Sequence, residues 1–422
     1  MTEAHPPSPH APELSAAGNA LPKNWLAAIS FIWAGQAASM VTSYAAGYAM
    51  VWYVTETTGS ALMLALMSIC AMLPIGLVSP LGGVLADRVN RKAIMIAADL
   101  GIGVISLIAG FVIMAGDVSF ALIALLAATR AIGQAFHSPA MMASMPLLVP
   151  ERHLLRVNTL DQALASVASI GAPAFGIFLY TTLGFQWVMF LDFFGALIAV
   201  AGLALAKIPT VRDEAAAQEN VFANLRDGLR AVTSCRGLAW LMLGVTMGTL
   251  IFGPMSAVFP LMTYSHFGGD GYAASITEAA FGIGMLVGSG ILMALKGDTK
   301  LARIIAIAMV VVGAATAACG FLPSSGYWAF VALVVIMSAA CAWFNGPLMT
   351  LIQRNVAEDK LGRAIGLFTA ASGIAAPVGV ALGGVLAEAI GVAPFFIVDG
   401  IACLALGAVI YLPKSIRALD RS

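Results

Sequence analysis

Residues 83–92 read Gly-Val-Leu-Ala-Asp-Arg-Val-Asn-Arg-Lys. They are a charged joint between two apolar runs, 60–82 and 93–115, whose only charged residue is Asp99. Each run is about as long as the ~20 residues a helix needs to cross a bilayer. The joint therefore reads as the turn of a membrane hairpin. Asp87 stands at a helix end, where it could accept from the N-terminus of a facing helix. Arg88, Arg91 and Lys92 could bridge acids on neighbouring helices. Asn90 suits a tight turn, because after glycine it best tolerates a left-handed conformation.

The whole chain extends this pattern. Of its 422 residues 60% are hydrophobic and 10% charged, against about 25% charged in an average soluble domain. So little polar surface cannot cover a globule, which excludes a soluble enzyme. Lys+Arg and Asp+Glu both number 21, so no basic face is available for nucleic acid. Cys70, Cys235, Cys319, Cys341 and Cys403 lie far apart with no clustered histidines, as small packing residues do rather than disulfide or zinc ligands. No metal or cofactor is expected.

Twelve apolar runs follow Trp25: about 25–54, 60–86, 93–115, 119–147, 159–181, 186–206, 236–262, 275–295, 301–322, 327–351, 363–389 and 394–412. Of the 21 lysines and arginines, 20 fall in the termini and in alternate breaks; Arg130 alone lies inside a span. The positive-inside rule places those breaks, and both termini, in the cytoplasm. Residues 1–24 are proline-rich and read as a disordered cytoplasmic tail without the features of a secretory signal. Residues 25–206 and 236–413 form two six-span halves. Between them 207–235 is a cytoplasmic linker, in which 221–235 could form an amphipathic surface helix, and 414–422 is a cytoplasmic tail.

The halves repeat. FHSPAMM at 136–142 matches FNGPLMT at 344–350, Ala172-Pro173 matches Ala376-Pro377, and FLDFFGAL at 190–197 matches IVDGIACL at 397–404, pairing Asp192 with Asp399. The offsets stay between 204 and 208. The expected fold is all-α and integral to the membrane, twelve transmembrane helices in two six-helix bundles related by a pseudo-twofold axis. Parallel repeats with a site between them are a transporter architecture.

Gly83, Asp87, Arg88, Asn90, Arg91 and Lys92 resemble the loop signature G-x-x-x-D-R-x-G-R-R/K of the major facilitator superfamily, with Asn90 in place of its glycine. In the fourth span Arg130, Gly133, Phe136, Pro139 and Ala140, then Pro146, Leu148, Val149, Pro150, Glu151 and Asn158, resemble the macrolide-efflux-like and siderophore-exporter-like branch of drug/proton antiporters. Ala172-Pro173 replaces the Gly-Pro of that branch's fifth span, and Thr42-Ser43 stands where many relatives have a small-Gly step. The resemblance implies a gating role for the loop. It also implies a central cavity lined by the first, fourth, seventh and tenth spans.

On those spans the polar and aromatic residues expected at the cavity are Gln36, Ser39 and Ser43, then Gln134, Phe136 and His137, then Thr249 and Phe252, then Trp343 and Asn345. Arg130, costly in lipid, should face protein or water. Gln134 and His137 follow it at i+4 and i+7. Axial depth, at about 1.5 Å per residue, sets Arg130 and Asp99 about 5 Å apart and makes Asp99 its expected partner. Asp192 and Asp399 sit nearer the outer side. Asp161 and Glu278, near span ends, are the other candidates for coupling to a proton.

Aromatics and 21 methionines with few charges suit bulky lipophilic ligands better than sugars, which need many hydrogen bonds. No G-x-x-x-x-G-K-[S/T] phosphate loop is present, so an ion gradient should supply the energy. The expected function is export of lipophilic or amphipathic small molecules by proton antiport with alternating access, in the cytoplasmic (inner) membrane. The expected partners are a small-molecule substrate, the proton and the lipid bilayer, the chain acting as a monomer. Export of a siderophore or metabolite, or import of a nutrient, would use the same fold.

Overall fold

A computed structural model describes residues 25–116, 118–206, 229–230, 232–294, 300–356 and 358–420, and some side chains within them, including those of Asp87, Asp161 and Asn345, lie outside the description. The described residues contain helices and no strand. The first half holds α1 (Trp25–Thr58), α2 (Ala61–Arg88), α3 (Arg91–Met114), α4 (Phe120–Leu148), α5 (Glu151–Leu183) and α6 (Phe185–Leu205). The second holds α7 (Arg236–Phe252), α8 (Met255–Leu261), α9 (Gly271–Ala294), α10 (Leu301–Gly320), α11 (Tyr327–Cys341), α12 (Asn345–Asn355), α13 (Glu358–Ile390), α14 (Val392–Ile410) and α15 (Lys414–Ala418), with a π turn at Met262–His266.

Local chemistry ends these helices. Ser60, Asn90 and Ser119 accept from the backbone N–H three residues on and so cap α2, α3 and α4. Gly184 and Gly391 turn the chain between the last two spans of each half, with φ of 91° and 89°. They stand 207 residues apart, an element of the repeat that the pattern of larger residues did not reveal.

Two expected spans are not continuous. The seventh is α7 and α8, parted at Gly253–Pro254 and running on to His266; the tenth is α11 and α12, parted at Ala342–Phe344. Pro254 has no N–H for the Leu250 carbonyl one turn back. Gly379 of α13 packs against that carbonyl and Gly383 against the Pro254 ring.

Ten helical segments are long and apolar enough to cross a membrane. Counting α7–α8 and α11–α12 as one span each, α1 and α5 complete twelve. In α1 the polar residues Gln36, Ser39 and Ser43 dilute the apolar run; in α5 the apolar helix described is Ile170–Leu183.

Packing repeats along with sequence. In the first bundle α1 lies beside α6 and α5, α3 beside α6 and α4, and α2 beside α4. In the second, α7 lies beside α14 and α13, α10 beside α14 and α11, and α9 beside α11. The bundles meet along α2/α13 and α5/α9. At the face opposite the termini, Glu388 of α13 accepts from Ser60 Oγ at 2.9 Å and Leu62 N at 3.2 Å, and Tyr264 donates to the Glu56 carbonyl.

Lipid supplies no hydrophobic force between helices, so close backbone approach must hold them. Gly35 and Gly202 bring α1 against α6, and Gly313 and Gly400 bring α10 against α14. At the crossing of α2 and α4 the glycine against Ala135 and Phe136 is Gly82; its neighbour Gly83 faces open space.

Residues 414–420 are docked against the second bundle. Ile416 and Leu419 bury themselves with Leu238 and Leu241 of α7. Asp420 accepts from the N–H groups of Ala302 and Arg303 and from the Tyr411 hydroxyl, because the first turn of α10 has no acceptors of its own. The amphipathic helix expected at 221–235 falls mostly outside the described residues.

Gly82→Ala should lower the melting temperature of the detergent-solubilised protein, with an overpacking cost of about 1–3 kcal/mol. Gly83→Ala should leave it unchanged or slightly raised. Equal melting temperatures for the two variants would contradict the α2/α4 contact.

Candidate substrate cavity and buried ion pair

The charged joint lies at the terminal face. Arg91 donates to the carbonyls of Ala86 at 3.1 Å and Ala143 at 2.6 Å. Lys92 donates to those of Ala204 at 2.9 Å and Ala206 at 2.8 Å. These cations hold the negative ends of α2 and α6 and reach α4, all within one bundle. Arg88 is exposed. Asn90 is not left-handed: its φ is −60° and its side chain caps α3, asparagine being as good a cap as a turn residue. Asp87 lies on α2; its side chain lies outside the description.

Deeper in the bundle, the Arg130 guanidinium pairs with the Asp192 carboxylate and donates to Ser106 Oγ and, at 3.1 Å, to the Ser43 carbonyl. Ser43 Oγ donates to Asp192 at 2.8 Å and Ser106 Oγ at 2.6 Å. One knot thus ties α4, α6, α1 and α3, and Asp192 is 1% exposed within it. The expected pairing of Arg130 with Asp99 is corrected: axial depth ranked the acids, but the azimuth of Arg130 turns it toward α6.

Asp99 has a different setting. It accepts from Gln36 Nε2 at 3.0 Å, and His137 Nε2 stands 3.5 Å from its other oxygen without forming a hydrogen bond. Gln36, His137 and Asp99 open onto a cavity of about 940 Å³ inside the first bundle. Ser39, Ser43, Arg130 and Gln134 also line it, with Trp33, Tyr44, Tyr48 and a patch of methionines at 67, 72, 141, 142 and 145.

Other expected cavity residues lie elsewhere. Phe136 packs with Ile29, Met95 and Met145, held there by the approach of Gly82. Thr249 bonds back to the Val245 carbonyl, Phe252 joins the large central cluster, and Trp343 donates to the Gly288 carbonyl. Asn345 and Asp161 lie on α12 and α5, with side chains outside the description. Glu278 is buried on α9.

The second bundle lacks the knot. Asp399 matches Asp192, but Arg130 aligns with Ser338 at the offset of 208 that relates FHSPAMM to FNGPLMT. One carboxylate oxygen of Asp399 is buried without a hydrogen-bond partner.

A repeated twelve-helix bundle with a cavity inside its first half has the architecture of a multi-pass membrane transporter. Residues 26–421 match the family of transmembrane secretion effectors. Macrolide efflux protein A of Streptococcus pyogenes is 33% identical over 399 residues, 94% of this chain and 98% of that one. The multidrug efflux pump Tap of Mycobacterium tuberculosis is 25% identical over 395 residues, 88% of this chain and 90% of that one. A bacterial homologue of the iron transporter ferroportin, solved inward-facing, shares the fold with a TM-score of 0.70 at 14% identity, covering 91% of this chain and 98% of that one. The chain belongs to the major facilitator superfamily, in its family of transmembrane secretion effectors, and is an efflux transporter of macrolide-efflux-like type.

Asp192→Asn should leave the Arg130 charge buried without a counter-charge, at a cost of about 3–5 kcal/mol. The variant is expected to lose most of its monodisperse peak in fluorescence-detected size-exclusion chromatography. Asp99→Asn, which still accepts from Gln36, is expected to keep it. A stable Asp192→Asn protein would overturn the structural role of the knot.

Proposed function

We propose that this protein exports bulky, lipophilic or amphipathic molecules of macrolide type by proton antiport, its two bundles rocking to expose the cavity alternately to each side of the cytoplasmic membrane. The observation that carries this reading is the cavity. Aromatic rings and methionines, which adapt to varied apolar shapes, make up much of its wall, and among the described residues Asp99 is the carboxylate that meets its space, beside His137. The names of the macrolide and multidrug relatives support the same substrate class.

Asp99 is the proton carrier in this reading. Arg130 is neutralised by Asp192, so the charge that can change with the cavity's contents is at Asp99 and His137. An amphipathic molecule that turns a cation or hydrogen-bond donors toward Asp99 favours its carboxylate form, so the proton leaves as the molecule binds. The loop from Gly83 to Lys92 acts as the hinge-side clamp: Arg91 and Lys92 keep the first bundle rigid as it moves, with Asp87 beside them at the end of α2.

The cationic termini and breaks support an orientation with both termini in the cytoplasm. The Glu388 and Tyr264 contacts then close the outer face, and the cavity serves the inner side. Ala215→Cys, in a background lacking the five native cysteines, should react with a membrane-impermeant maleimide only after permeabilisation. Labelling in intact cells would reverse the orientation.

Expressed in an efflux-deficient host, the protein should raise the inhibitory concentration of macrolides several-fold, and Asp99→Asn should abolish the gain. In vesicles Asp99→Asn is expected to bind and equilibrate a macrolide but not to accumulate it against its gradient when a pH gradient is imposed. Full proton-driven accumulation by Asp99→Asn would remove Asp99 as the carrier.

A further inference from the structure

The seam between α5 and α9 contains a carboxyl group with no partner among the described residues. Gly271, Ala274, Glu278 and Gly282 recur at helical spacing on one face of α9. Gly271 abuts Thr181 and Trp52, Ala274 clusters with Trp52 and Ile177, and Gly282 abuts Ile170. All four contacts belong to the other bundle, so this face is pressed against α5 and α1. Glu278 lies in the middle of it, 9% exposed. Among the described residues, none forms an ion pair or hydrogen bond with Glu278.

The titratable groups on the elements packed around it do not compensate a charge. Tyr48 of α1 lies close enough to interact with Glu278 electrostatically, and Tyr44 precedes it on the same helix. On α5, Tyr180 donates to Glu56. On α11, Tyr327 donates to the Ala273 carbonyl, and Cys341 lies at the far end of the helix. In the π turn Tyr264 donates to the Glu56 carbonyl, and His266 meets the Leu322 carbonyl. Asp161 on α5 is about 20 Å further along the seam at 1.5 Å per residue. A carboxylate is therefore uncompensated in the closed seam, whereas the protonated acid is accommodated there.

We propose that Glu278 is the proton-binding residue of the outer gate: α5 and α9 close over it only when it carries a proton. This inference rests on the proton-coupled, termini-inside reading. Parting the seam exposes Glu278 to outside water, where it exchanges its proton. A proton arriving from outside neutralises it and lets the gate shut. The matching position of the α2/α13 seam, at an offset of 208, is Cys70, so the two seams differ in their response to protons. The α2/α13 seam carries instead the exposed Glu388 contact, which must be tested separately.

Spin labels at Thr57→Cys and Ser324→Cys, on opposite bundles at the outer face, report the gate by pulsed dipolar spectroscopy on the full chain in nanodiscs without native cysteines. Between about pH 9 and about pH 5, which brackets the range of perturbed carboxyl groups, the wild-type distance distribution should shift toward its short component. Glu278→Gln, neutral and of the same shape, should hold the short component at every pH. Glu278→Asp should restore a shift, and Glu388→Gln should keep the wild-type response. A wild-type response that persists in Glu278→Gln, or no response in the wild type, overturns the proposal. If Glu278→Gln also keeps proton-driven accumulation in vesicles while Asp99→Asn loses it, this proposal falls and the coupling reading stands.

Discussion

A guanidinium inside a membrane must be paired, and that constraint organises the first bundle. An arginine at mid-membrane costs roughly 3 kcal/mol or more when exposed to lipid. Arg130 avoids this cost by reaching Asp192, Ser106 and Ser43 on three different helices. The serines in turn satisfy both oxygens of Asp192. The network needs α1, α3, α4 and α6 to lie close together. Small residues provide this, with Gly133 against Ile102 and Gly195 against Thr42. With Arg130 held, the carboxylate left at the cavity is Asp99, and its neighbours there are an amide and an imidazole rather than a permanent cation.

The two bundles share their packing but not their chemistry. The same helix neighbours recur, and a glycine turn of the same geometry joins the last two spans of each half. The second bundle nevertheless has Ser338 and an unsatisfied Asp399 where the first has a complete ion pair. Its seventh and tenth spans are interrupted, at Gly253–Pro254 and at Ala342–Phe344. Interrupted helices bend at defined points. The first bundle thus holds the polar chemistry and the cavity, and the second holds the defined points at which its helices can bend.

Much of this was legible in the sequence, because hydropathy and charge placement are one-dimensional signals. Twelve spans and the repeat follow from residue order alone, whereas Asn90, which reads as a tight-turn residue, caps α3 instead. What order could not supply is azimuth. Depth counting put Asp99 beside Arg130, whereas rotation about the helix axes puts Asp192 there; the pairing of Asp192 with Asp399 in the repeat had marked that acid without saying what it faced. Phe136 shares a span with Gln134 and His137, yet only the latter two meet the cavity. Gly82 and Gly83 are indistinguishable in sequence, and a single residue of rotation decides which one touches α4. Breaks in the seventh and tenth spans were hidden because apolar residues continue through them.

The central claim is that Asp99, and not the Arg130–Asp192 knot, exchanges its proton for substrate. Adding a macrolide to the purified protein in a weakly buffered, dye-reported solution tests this directly. The account predicts proton release from the wild type on binding, and binding without release from Asp99→Asn. Undiminished release from Asp99→Asn would contradict it.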